Sequence, residues 1–164
     1  MFYFQLLFPV ITSQGQLRDS IVLVKVDLRQ SVKPPRGNWK ETCNRSLELI
    51  ERCVYLDKDL VLPPMMTAGA EQTYFVVAST NVIGAEIMMR RMREQLEKLP
   101  ELKASGALEI SASAVTVPSV TADYPLEAQV REVADGVTET IRSALGAKQH
   151  SSQASRRSKE MQEN

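Results

Sequence analysis

Residues 60–78 read Leu60-Val61-Leu62-Pro63-Pro64-Met65-Met66-Thr67-Ala68-Gly69-Ala70-Glu71-Gln72-Thr73-Tyr74-Phe75-Val76-Val77-Ala78, and they decide the fold. Residues 60–66 are β-like, and residues 73–78 are rich in β-branched and aromatic side chains, which suit a pleated, half-buried surface. Between them Ala68-Gly69-Ala70-Glu71-Gln72 supplies a short turn whose glycine takes up positive φ without steric cost. Two β segments joined in this way predict a hairpin. Pro63 and Pro64 have no backbone N–H, so the first of the two strands is short or lies at an edge. A hairpin in mid-chain needs a further strand to pair with. Ile21-Val22-Leu23-Val24-Lys25-Val26-Asp27 provides one: an apolar run ending in a carboxylate, with Lys25 as the charge inside it, reads as a strand buried on both faces.

Helices fill the intervals. Residues 30–37 (QSVKPPRG) form a loop by their prolines and glycine. Asn38 then offers an N-cap, with Glu41 three residues on as its capping-box partner. Trp39, Cys43, Leu47, Ile50 and Val54 follow as one apolar stripe, with Glu41, Arg45, Glu48 and Arg52 on the other face. Residues 82–99 read as the clearest helix, buried along Ala85, Met89, Met92, Leu96 and Leu99 and ended by Pro100. The methionines Met65, Met66, Met88, Met89 and Met92 read as core filler. Residues 108–117 (LEISASAVTV) alternate between apolar and small polar side chains, as a strand with one covered face does. Residues 125–145 form a last helix with Leu126, Val130, Val133, Val137, Ile141 and Leu145 inward. The order strand, helix, hairpin, helix, strand, helix predicts an α/β sandwich with a ferredoxin-like core, a central mixed, mainly antiparallel sheet with helices packed on one face.

The whole chain has 164 residues, enough for one well-buried domain and too few for two ordinary ones. Lys plus Arg and Asp plus Glu number 20 each, so no global field points to nucleic acid or an anionic membrane. Nine aromatic residues, four Phe, four Tyr and one Trp, give no stacking platform for single strands. The apolar start MFYFQLLFPVI is broken by Gln5 and Pro9 and is shorter than the roughly 20 residues a membrane span requires. Residues 1–20 therefore read as an N-terminal strand or helix docked on the core, or as a linker stub, residues 21–146 as the domain and residues 147–164 as a disordered tail without apolar periodicity. Cys43 and Cys53 share one helix at a separation of roughly 15 Å, too far for a disulfide. That cysteine usage predicts a cytoplasmic setting. The single histidine, His150, falls in the tail, leaving no centre for a catalytic triad or a His-ligated zinc.

A buried strand that delivers an acid beside a glycine-containing hairpin resembles the GGDEF family, the diguanylate cyclases. In that family a carboxylate ends the first strand, the next residue offers its carbonyl, and the hairpin supplies a further metal ligand. The resemblance places Asp27 at the strand acid, Leu28 at the carbonyl and Ala68-Gly69-Ala70-Glu71-Gln72 on the five-residue signature. It marks Asp27, Leu28, Gly69 and Glu71 as remnant nucleotide or metal positions. Ala70 stands where the family has an acid, and Arg29 stands where a second strand acid is usual, a cation facing a site meant for cations. The family's Asn and Asp that read guanine have no counterpart in residues 30–37, and its Arg-x-x-Asp motif is replaced by Asp59-Leu60-Val61-Leu62. The resemblance thus implies a degenerate domain of a cyclic di-GMP-related signalling pathway. Such a domain has no catalytic residue, metal or cofactor and is not an enzyme. It works through a protein partner or as a homodimer. The alternatives are a non-catalytic sensor of guanine nucleotides or cyclic dinucleotides, and a residual diguanylate cyclase using Asp27 and Glu71.

Overall fold

The computed structural model describes residues 2–30, 39–55, 57–67, 71–117 and 125–162. The capping residue Asn38 and the turn residues Ala68, Gly69 and Ala70 lie outside them. Helix α1 (Phe2–Ile11) leads into a two-residue hairpin, β1 (Thr12–Ser13) and β2 (Gln16–Leu17). The turn between them holds Gln14 and Gly15 at positive φ, the geometry that matches the twist of a tight hairpin. Then follow β3 (Ile21–Leu28), α2 (Trp39–Arg52), β4 (Leu60–Val61), β5 (Met65–Thr67), β6 (Glu71–Ala78), α3 (Val82–Leu96), β7 (Leu108–Val115) and α4 (Leu126–Gln162).

The sheet runs β4-β6-β3-β7, with β5 also on β6, and every pairing is antiparallel. Counting β4 and β5 as one interrupted strand, β3 to β7 make the ferredoxin-like βαββαβ unit, with its first and third strands central. The expected mixed sheet is corrected to a wholly antiparallel one among the described strands. The interruption falls where the prolines require it. Residues 62–64 stand opposite only Tyr74 and Phe75, since Val61 pairs with Val76 and Met65 with Thr73. Pro63 and Pro64 thus occupy a bulge, where a missing N–H costs no ladder bond.

Both faces of the sheet are covered, not one. Val22, Val24, Val26 and Leu28 of β3, with Tyr74, Val76 and Ala78 of β6, pack under α2 and α3 through Cys43, Ile50, Ala85, Met88, Met92 and Leu96. Met88 and Met92 of α3 fill the core, whereas Met89 is only partly buried against it, Met65 is only partly buried on the other face, and the side chain of Met66 lies outside the description. The phenol of Tyr74 donates to the carbonyl of Cys43 at 2.8 Å, tying β6 to α2. On the opposite face Ile21, Leu23, Phe75 and Val77 meet Leu7, Val10 and Ile11 of α1 and Val130, Val133, Val137 and Ile141 of α4. Of the readings of the apolar start, the helix docked on the core is the one the structure shows, over Phe2–Ile11. With the hairpin after it, this helix completes the second core. Pro9 is accommodated because α1 is held by packing of its buried side chains, not by its few backbone bonds.

The last helix does not stop near Leu145, where the sequence predicted a tail. It continues to Gln162, through a proline-free stretch in which Ala, Lys, Arg, Gln, Glu and Met, all good helix formers, together outnumber its four serines. Helix propensity, not an apolar stripe, carries these turns. No helix among the described residues is long and apolar enough to cross a membrane.

Leu7 is fully buried, so Leu7→Ala should cost about 3 kcal/mol in urea unfolding. A chain ending at Gly146 should melt within a few degrees of the full chain, because the removed residues bring no apolar periodicity to either core. A larger drop would assign the end of α4 a packing role.

Candidate functional site

The β3 end and the start of β6 meet as the hairpin reading requires. Asp27 lies opposite Thr73 and Leu28 opposite Gln72, with Glu109 and Leu108 of β7 on the other side. Glu71 opens β6, paired with Thr67. The remnant positions Asp27, Leu28 and Glu71 are thus brought to one end of the sheet, while Gly69 lies outside the described residues.

The environment of Asp27 is closed. It is 2% exposed and belongs to the sheet face that carries Ile21 and Leu23, where the apolar alternation gives way to Lys25 and Asp27. One carboxylate oxygen accepts from the Thr73 hydroxyl at 2.5 Å. The other lies 3.3 Å from the Lys25 ammonium, whose side chain is only 18% exposed. A carboxylate so buried is tolerable only because charge and hydrogen bonds are matched locally. Leu28 is fully buried in the core under α2 and α3, its backbone inside the ladder between Gln72 and Leu108. Arg29 reaches a carboxylate of β7. Its guanidinium lies 3.2 Å from Glu109, and both side chains are well exposed.

The acid that sequence reading passed over is Asp59. It is 5% exposed. Its two oxygens accept from the backbone N–H of Tyr55 at 2.9 Å and of Ser79 at 3.0 Å. Asp59 therefore fastens the loop after α2 to the end of β6. Its signal in the sequence was weak: one acid in a loop, four residues after the amide it caps. Close to that junction an apolar patch is exposed, with Tyr55 at 60%, Val82 at 57%, Ile83 at 69% and Ile87 at 47%. A polar pocket of about 390 Å³ opens nearby, lined by Ser13, Arg18, Asp19, Ser20, Thr80 and Asn81 among others. It sits where β3 begins and β6 ends, some six residues or roughly 20 Å along the strands from Asp27. The open cavity and the remnant positions are at opposite ends of the sheet.

Both cysteines are buried and unbridged. Burial pushes the Cys43 thiol up from 9.0 to about 11. Cys53 is raised by the same desolvation, opposed by the nearby charge of Arg91. Tyr74 is raised mainly by burial and further by Cys43 beside it.

Comparison with known proteins adds only a fold-level likeness. No family model matches the chain, and no curated protein matches it. Among solved structures it is similar to the de novo designed protein Foldit4, at 14% identity and a TM-score of 0.36, covering 59% of this chain and 96% of that one. It is also similar to a de novo designed protein with ferredoxin fold, at 17% identity and a TM-score of 0.39, covering 65% and 92%.

Asp27→Ala should destabilise the protein by about 3 kcal/mol, because it strands a largely buried ammonium. Thr73→Val should cost about 2 kcal/mol by removing a hydrogen bond to a charged group. Chemical denaturation measures both, and an unchanged midpoint for Asp27→Ala would show the carboxylate to be dispensable to the fold.

The thiols provide a second check. A raised folded-state pKa means that the native state keeps its proton where the unfolded chain has lost it. The Cys43 contribution is therefore complete below about pH 9 and lost as pH rises through about 11. Native protein at pH 8 should react far more slowly with a thiol-specific disulfide reagent than urea-unfolded protein, and its melting temperature should fall steadily above pH 9.

Proposed function

We propose that this chain is a non-catalytic, GGDEF-like signalling module that acts by contact with another protein chain, not by turning over a nucleotide. The observation that carries the reading is the engagement of Asp27. Metal-assisted nucleotidyl transfer needs carboxylates free to converge on a divalent cation. Here the strand acid is buried, with Thr73 on one oxygen and Lys25 on the other. A metal would have to displace an ammonium from a site largely closed to water. Ala70 contributes no ligand from the hairpin. Arg29, paired with Glu109, brings a cation to the same strand end.

Contact with a protein is supported by what the surface exposes. Monomeric proteins scatter apolar side chains singly, whereas grouped ones mark interaction surfaces. Val82, Ile83 and Ile87 lie on the first two turns of α3 and are all exposed, close to the Asp59 junction that also positions Tyr55.

Incubation with GTP and magnesium should yield no cyclic dinucleotide, and the Ala70→Asp variant should be equally silent. Restoring the hairpin acid leaves Asp27 tied to Lys25 and Thr73. In parallel, guanine and adenine nucleotides with and without magnesium should leave the melting temperature unchanged, since a ligand of the native state raises it in proportion to RT ln(1 + [L]/Kd). Product that disappears in Asp27→Ala would overturn the silent reading. A nucleotide-dependent shift without product would replace it with a sensor of guanine nucleotides.

A further inference from the structure

We propose that β7 is a docking edge and that its occupant is a second copy of this chain, paired antiparallel about a twofold axis. The inference deepens the reading of the protein as a contact module, and rests on it for its role in the cell. Its physical basis is separate. In the order β4-β6-β3-β7, β3 occupies one side of β7 at all eight positions, from Ile21 opposite Val115 to Leu28 opposite Leu108. Among the described residues no strand pairs with the other side. The middle of the strand is open on both faces as well. Ser111 and Ser113 lie on the α1–α4 side, Ala112 and Ala114 on the α2–α3 side, and all four are exposed. The alternation read from the sequence promised a covered face, but the helix layers cover only the ends of β7, at Leu108 and Ile110 on one face and Val115 on the other.

Edge strands are normally protected by lysine, proline, a bulge or a covering element. β7 has no lysine or proline, and its register with β3 is unbroken. Its one charge, Glu109, already has a cation in Arg29 at 3.2 Å. The edge therefore presents a regular row of backbone donors and acceptors flanked by small side chains.

Chemistry favours a second copy over an extended peptide. Strand-adding domains select peptides through pockets for alternate side chains, and a Ser-Ala-Ser-Ala edge offers none. A twofold axis perpendicular to the sheet through Ser111 or Ala112 keeps each helix layer on its own side. It sets small residues against small residues, and places Glu109 opposite Ser113 or Val115. No like charges then meet, whereas parallel in-register pairing would stack Glu109 on its copy. The formal net charge of zero removes long-range repulsion between copies. A contact confined to one strand buries less than the ~1,600 Å² of a standard interface, so the dimer should be concentration-dependent.

Sedimentation equilibrium of the full chain, from low micromolar to near-millimolar concentration, should show a shift from monomer to dimer. Ala112→Lys and Ser111→Lys each place a charge at the axis. Each should weaken association at least tenfold while leaving the melting temperature of the dilute monomer unchanged, because both positions are exposed. Hydrogen exchange at residues 108–115 should slow as concentration rises. A mass that stays monomeric throughout overturns the proposal, as does a dimer that both substitutions leave intact. Neither readout depends on nucleotide, so turnover of GTP would sink the silent-module reading without moving the measured mass.

Discussion

β3 is paired with β7 along its whole length and with β6 from Val22 to Leu28, and it is covered on both faces. Antiparallel sheets commonly leave one face to water, and a strand in this position must be apolar almost throughout. The run Ile21-Val22-Leu23-Val24 meets that demand and divides the protein into two cores, one under α2 and α3 and one under α1 and α4. Where the run admits charge, at Lys25 and Asp27, water cannot solvate it freely. The two residues share a face because they are two apart, so they pair with one another, and Thr73 adds its hydroxyl from the neighbouring strand. The chemistry of the strand end follows from its place at the centre of the sheet.

The helices under the first core were legible because their apolar residues recur at the helical period, and the stripes of α2, α3 and the first half of α4 are buried much as their spacing implies. The proline interruption of the hairpin's first strand was legible for a steric reason that needs no tertiary knowledge. Helix α1 was half legible: its apolar side chains implied docking on the core, but an eleven-residue start with an internal proline has neither a period nor a cap to tell helix from strand. The continuation of α4 was missed for the opposite reason. Apolar periodicity reports burial, and these turns persist on backbone propensity. The exposure of β7 was equally hidden, since alternation shows which side chains share a face but not how far a helix layer extends.

At the strand end the position of Asp27 was legible and its fate was not. The pairing of Lys25 with Asp27 follows from their spacing, but the Thr73 hydroxyl enters through a register that only the folded sheet defines. The pairing of Arg29 with Glu109 was hidden in the same way, because β7 enters the register from far along the chain. Asp59 escaped notice because its partners are backbone amides, which carry no side-chain signature. Asp27 and Asp59, two acids that the sequence could offer to a ligand, thus serve as fastenings of the fold.

The two edges of the sheet differ in kind. On one side the bulge at Pro63 and Pro64 breaks the row of hydrogen-bonding groups and bends the strand away from any straight partner. On the other the row is continuous. A molecule with two continuous edges could add copies at both ends and grow into a filament, whereas this one can extend its sheet in a single direction. Were β7 to pair with its copy as proposed, strand addition would end after that one event, because the doubled proline interrupts the opposite edge.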